Sequence, residues 1–225
     1  MASSIASRTS NSSLLPRHLL LTGVPGVGKT TLMSKLYDVL TKQGIQCSGF
    51  ITEEVRSGGR RIGFDVVTMD GHKGQLARIC DSTDAPGSSK RHCKVGQYSV
   101  NILSFEQTAL PTLQPQGKDK GRSSTIYFVD EIGRMELFSQ NFIQAVRKVL
   151  SKPDITVVAT IPVPKGRPIP FVEELRNGDY SVIFEDDLLQ QFGTDVACVV
   201  AFNHTRINDK RFKVPQLVHE MNSDK

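Results

Sequence analysis

The chain has 225 residues and a mass of 24.8 kDa, a length that suits one large domain with short appendages. Hydrophobic residues make up 38%, enough for a core at this length, and mean hydropathy is −0.23 with no apolar run near the ~18 residues of a membrane helix, so a helical membrane protein is excluded. Lys plus Arg is 28 against 23 Asp plus Glu, a net charge of +5, which suits anionic ligands such as phosphates but, without a long basic run or any Trp, argues against nucleic acid as a partner.

Residues 1–17 hold six Ser, two Arg and no acid. They read as a disordered leader; the alternative is a transit segment for import into a chloroplast or mitochondrion. The four cysteines (Cys47, Cys80, Cys93 and Cys198) form no C-x-x-C pair. That pattern points to a reducing, cytoplasmic setting. A zinc site from Cys80, His92 and Cys93 matches no zinc spacing.

From His18 the texture changes. HLLLTG is a short apolar run, as in a buried strand. Residues 29–42 carry Leu32, Leu36, Val39 and Leu40 at helical spacing, with Gly44 just beyond as a stop. Residues 45–55 read as a second strand. Gly58-Gly59 and Asp70-Gly71 are turn signals, so residues 56–79 predict a hairpin or meander. It is expected as an insertion on a largely parallel sheet. Residues 81–92 read as a loop, and CKVGQYSVNI as one strand. Residues 104–113 predict a short helix capped by Ser104, and residues 114–124 a connector. TIYFV is a strand. Residues 136–150 predict one amphipathic helix, and ITVVATI another buried strand. A Pro-rich basic loop, PVPKGRPIP, precedes a helix over 169–176 and an extended stretch over 180–184. The alternation of strands and helices predicts an α/β domain over 18–205, with a tail over 206–225.

Gly23, Val24, Pro25, Gly26, Val27, Gly28, Lys29 and Thr30 fit G-x-x-x-x-G-K-[ST], between a predicted strand and a predicted helix. Glycine permits close backbone approach, and successive N–H groups form a nest for phosphates. The helix start adds partial positive charge, which extends the binding set to Thr31. Lys29 places a full charge on the β- and γ-phosphates, and Thr30 supplies a Mg²⁺ ligand. A hundred residues on, the apolar strand IYFV ends in Asp130 and Glu131. Such a strand end faces the ligand crevice of an open α/β sheet. Asp130 is the expected second Mg²⁺ ligand, through water, and Glu131 the base that polarises the attacking water.

GVPGVGKTT, GFITEEVRSGGRRIGFDVV, VGQYSVNILSFEQTALP, VDEIGRMELFSQNFIQAV and TIPVPKGRP together resemble the THEP1 family, the cancer-related nucleoside-triphosphatase-like proteins, and its eukaryotic branch in particular. The similarity runs over residues 18–177. It implies a RecA-like P-loop fold of the catalytic-glutamate class. It also implies Mg²⁺-dependent hydrolysis of nucleoside 5′-triphosphates to diphosphates with little base selectivity. The family's phosphate-binding motif maps onto Gly23 to Thr30 and its acidic motif onto Asp130 and Glu131. The Ser-rich leader and the tail after Asn177 depart from it.

Other candidates are weaker. Thr160 ends a strand, where it either senses the γ-phosphate or simply closes the strand. Lys165 and Arg167 follow in the basic loop, and Lys165 is the candidate cation for charge developing in the transition state. Arg56, Arg60 and Arg61 read as surface residues of the hairpin. Glu53 or Glu54 could support the metal's water shell, and Arg134 reads as a partner for local acids. Ser151-Lys152-Pro153-Asp154 imitates a guanine-reading motif but precedes its strand, so it falls on the wrong sheet edge. The leading expectation is a monomeric Mg²⁺-dependent nucleoside triphosphatase. The alternatives are a P-loop small-molecule or nucleoside kinase and, further off, a nucleic-acid-coupled ATPase or slow nucleotide switch.

Overall fold

The computed structural model describes residues 18–80, 93–114, 125–178 and 180–183. The leader over 1–17, the loop over 81–92 with His92, nearly all of the connector, and everything from 184 on lie outside the described residues. The domain boundary at 205 and the tail therefore do too.

In chain order the elements are β1 (Leu19–Thr22), α1 (Lys29–Lys42), β2 (Cys47–Ser57), β3 (Arg60–Thr68), β4 (Lys73–Ile79), β5 (Lys94–Val95), β6 (Tyr98–Val100) and α2 (Ile102–Ala109). A 3-10 turn over Leu110–Leu113 leads to β7 (Ile126–Val129). A second over Glu136–Phe138 leads to α3 (Gln140–Leu150), β8 (Thr156–Ile161), α4 (Pro170–Arg176) and β9 (Ser181–Ile183). All nine strands form one sheet in the order β5-β6-β4-β3-β2-β7-β8-β1-β9.

One half of the sheet, β9-β1-β8-β7-β2, is parallel. The other half, β2-β3-β4-β6-β5, is antiparallel. The sheet is thus mixed, and the meander expected over 56–79 continues it beyond β2 as antiparallel strands. The reason is the length of β2. Its residues 47–50 pair with β7, and its residues 50–57 run past the end of β7 to pair with β3.

In the parallel half, alternate residues point to opposite faces, and both faces are covered. Leu19, Leu21, Ile126, Phe128 and Val158 pack against Leu32, Met33, Leu36 and Leu40 of α1. Leu20, Tyr127, Val129, Val157 and Ala159 face the side packed by Phe105, Phe142, Val146 and Phe171. The result is three layers, with α1 on one face and α2, α3 and α4 on the other. α1 ends where predicted: Ile45 N donates to Leu40 O and Gly44 N to Thr41 O, with Gly44 at φ 76°. That is the left-handed stop that glycine tolerates best.

Three local expectations change. CKVGQYSVNI is a hairpin of β5 and β6 turning at Gly96, because Gly96 takes a positive φ and breaks the run. The cap of α2 is Asn101, whose Oδ1 accepts from Ser104 N at 3.1 Å; Ser104 lies in the first turn. The helix expected over 136–150 is broken. Ser139 is extended (ψ 112°) and buried, and its Oγ accepts from Phe142 N at 2.9 Å, starting α3 afresh. Among the described residues, no helix is long and apolar enough to cross a membrane.

Candidate active site

The loop between β1 and α1 carries the glycines of the phosphate motif. Gly26 and Gly28 sit at φ 85° and 102°, a backbone region that a side chain disfavours. Gly28 is the residue before α1, so the loop's amides lead straight into the helix N-terminus. Lys29 is buried although charged, and its Nζ donates to Gly23 O at 2.8 Å and Val24 O at 3.1 Å. The ammonium is therefore held over its own loop. Thr30 follows on the first turn of α1, and Thr31 is exposed beside it.

The acidic pair arrives from β7, two strands away, with β8 between. Asp130 is 2% exposed. Its Oδ2 accepts from Thr30 Oγ1 at 2.7 Å and its Oδ1 from Thr160 Oγ1 at 2.5 Å. The first turn of α1, the residue after β7 and the carboxyl-terminal part of β8 thus meet at one carboxylate. Thr160 is fully buried and its hydroxyl donates to Asp130, so in this structure it orients that carboxylate.

Glu131 lines the same cavity as Gly23, Pro25 and Lys29. Burial and the neighbouring Asp130 raise its pKa, while Lys29 opposes the rise. Glu136, which the sequence shows only as a helix-start residue, also reaches this cavity. It is 4% exposed, and its Oε2 accepts from Gly133 N at 3.1 Å. A Cβ on Gly133 would strike the Glu131 carboxylate and stand 3.1 Å from Glu136 Oε2, so the two carboxyls flank one point. Burial first, then Glu131, pushes the Glu136 carboxyl up to about 8.

The loop of residues 162–169 closes the cavity, bringing Lys165 and Arg167 to its lining. Both are exposed. Among the described residues Arg134 pairs with no acid: its Nη2 donates to Lys165 O at 3.5 Å and Arg167 O at 3.3 Å. Arg176 Nη2 donates to Pro162 O at 2.5 Å and fixes the loop's start. Neither anchor stands out in sequence, because their targets are backbone carbonyls.

The hairpin charges stay outside the cavity lining. Glu54 pairs with Arg56 at 2.5 Å and Arg61 at 2.7 Å, and Glu53 with Lys73 at 2.7 Å. Both acids are engaged in exposed ion pairs and are not among the residues that line the cavity. Ser151-Lys152-Pro153-Asp154 precedes the amino end of β8, whose carboxyl end carries Thr160. It lies at the sheet edge opposite the site.

Among the described residues no cluster of three or more His, Cys, Asp or Glu exists to cage a metal. A P-loop Mg²⁺ needs none, since it keeps waters and takes one or two protein oxygens plus phosphates. Thr30 Oγ1 and Asp130 Oδ2, 2.7 Å apart, are such a pair, and they fit.

The profile of the NTPase family matches residues 18–188. The cancer-related nucleoside-triphosphatase homolog of Bos taurus is 57% identical over 162 residues, 72% of this chain and 84% of that protein. The solution structure of a human cancer-related nucleoside triphosphatase superposes with a TM-score of 0.65 at 46% identity, covering 93% of this chain and 99% of that one. The crystal structure of THEP1 from the hyperthermophile Aquifex aeolicus gives 0.61 at 35% identity, covering 77% and 95%. With the phosphate loop and the acidic strand end brought together at Asp130, the chain belongs to the NTPase family and has its α/β P-loop fold.

Proposed function

We propose that this protein hydrolyses nucleoside 5′-triphosphates to diphosphates and inorganic phosphate, with Mg²⁺ and with little selectivity for the base. One observation carries the reading: Thr30 and Asp130 meet at 2.7 Å beside a cavity that Lys29 and Glu131 both line. The amides around Gly23, Val24, Pro25, Gly26, Val27 and Gly28 receive the phosphates, and the start of α1 at Lys29, Thr30 and Thr31 adds its positive end. Lys29 bridges to the β- and γ-phosphates. Thr30 and Asp130 would hold Mg²⁺, which would neutralise charge on the phosphate oxygens. Glu131, with its pKa raised by burial, is the base: it accepts the proton of the water that attacks the γ-phosphorus, while the bond to the β-phosphate oxygen breaks. Lys165, carried on a loop that Arg134 and Arg176 fasten, meets charge developing on the transferred group. Among the described residues, the one segment that imitates a guanine-reading motif, Ser151-Lys152-Pro153-Asp154, lies away from the cavity, in keeping with broad substrate use.

The test is phosphate release from ATP, GTP, CTP and UTP, each with Mg²⁺ and with a chelator. Comparable rates for all four, abolished by chelation, are expected. A rate confined to one base overturns the breadth, and chelator-resistant release overturns the metal's role.

A further inference from the structure

The cavity is larger than a triphosphate tail requires, about 650 Å³, within the range of sites that enclose a small organic molecule. Its lining changes character along the sheet. At β1 it is the phosphate loop, and at β7 it is Glu131. Beyond these it is Phe64, Leu76 and Val95 from β3, β4 and β5, joined by Met135 and Ile169. Phe64, Val95, Met135 and Ile169 are half-buried: they pack on the core cluster and also line the cavity. In strand order the apolar wall thus lies past Glu131 as seen from the phosphate loop.

That placement decides what the wall can touch. A triphosphate seated on the loop has its γ end towards Asp130 and Glu131, so its nucleoside lies at the other end. In phosphoryl transfer the attacking and leaving oxygens stand roughly in line through phosphorus. The leaving oxygen belongs to the β-phosphate on the loop side. The attacking group therefore comes from the side of Glu131 and the apolar wall. Water needs no such wall, and apolar surface left in water forgoes about 25 cal/mol per Å² of burial. Glu131 and Glu136 both line the cavity. A Glu131 carboxylate there disfavours an anionic nucleophile and accepts the hydrogen bond of a neutral hydroxyl.

We propose that the apolar half of the cavity is a second-substrate subsite, seating the hydrocarbon or aromatic body of an alcohol whose hydroxyl takes the γ-phosphoryl group in place of water. The proposal rests on the nucleotide-hydrolysing reading of the same site. The alcohol oxygen forms a bond to the γ-phosphorus. The bond from that phosphorus to the β-bridging oxygen breaks, and the diphosphate leaves with the electron pair. The hydroxyl proton passes to Glu131, and the product is a phosphate monoester.

The experiment incubates the full chain with Mg·ATP and either benzyl alcohol or methanol at equal molarity, reading phosphate esters by ³¹P NMR and inorganic phosphate in parallel. Benzyl phosphate that saturates with alcohol concentration, at a yield at least about tenfold above methyl phosphate, is expected. Val95→Trp, which fills the wall from an edge strand, should lower that yield by a similar factor; Ile169→Trp serves if the first variant does not fold. Equal yields from the two alcohols, no ester while phosphate release continues, or esters indifferent to both fillings each overturn the proposal. Phosphate release without alcohol reports separately on hydrolysis, so its absence would sink that reading and not be mistaken for failure of the subsite.

Discussion

Thr160 Oγ1 donates to Asp130 Oδ1 at 2.5 Å inside the sheet, where neither residue meets solvent appreciably. The bond fixes which face Asp130 turns to Thr30. Removing the hydroxyl frees the carboxylate to rotate and leaves one oxygen short of a donor. Thr160→Val is expected to lower turnover or Mg²⁺ affinity about 10–100-fold, the usual effect of losing a group that orients a ligand. Thr160→Ser should restore most of it. Steady-state kinetics against Mg²⁺ concentration checks this, and an unaffected Val variant would contradict the orienting role.

Glu131→Gln keeps the shape of the side chain and removes its ability to take a proton. Turnover should fall about 10²–10⁴-fold. Calorimetric titration with a nonhydrolysable triphosphate should give nearly unchanged affinity, because the phosphate loop is intact. Loss of binding in step with loss of rate would reassign the residue.

Lys29 holds two carbonyls of its own loop and carries the charge that meets the phosphates. Lys29→Met should abolish measurable nucleotide binding by fluorescence anisotropy while the far-ultraviolet spectrum stays native. Wild-type affinity in this variant would place the phosphates elsewhere.

Glu136 gives a signed pH dependence. Its carboxyl moves from 4.5 to about 8 on folding. Between those values the unfolded chain releases a proton that the native state keeps. The stability this group contributes is complete below 4.5 and is lost as pH rises through 8. Glu136→Gln removes that dependence. The stability of wild type relative to the variant should therefore decrease from pH 5 to pH 8, measured by urea unfolding. A difference independent of pH would mean that Glu136 titrates normally.

Phe142 lies fully buried, 5.1 Å from the Phe105 ring and 6.0 Å from that of Phe50. It clamps α3 to α2 and β2. Phe142→Ala should cost about 3–5 kcal/mol, read as a drop in the urea midpoint, with the phosphate-loop residues untouched.

The sequence alone determined the parts whose chemistry is local. The span of α1 and its glycine stop, the phosphate loop, and an apolar strand ending in Asp130 and Glu131 follow from side-chain period and residue type over a few positions. The meander was legible from its turn pairs, but its place was not. Whether strands join a sheet in parallel or antiparallel depends on partners far apart in the chain, and here on β2 outrunning β7. Neighbouring packing likewise decided that Ser139 breaks a continuous amphipathic pattern. Thr160, Arg134 and Arg176 gained their roles only in three dimensions, because each acts on an atom brought near by folding: a carboxylate at the end of the neighbouring strand, or a backbone carbonyl that no side-chain pattern encodes; Glu136 gained its role from the burial that sets it beside Glu131. The apolar wall beyond Glu131 is of the same kind. Its residues come from three strands and two loops, and only the folded sheet sets them on the attacking side of a phosphate.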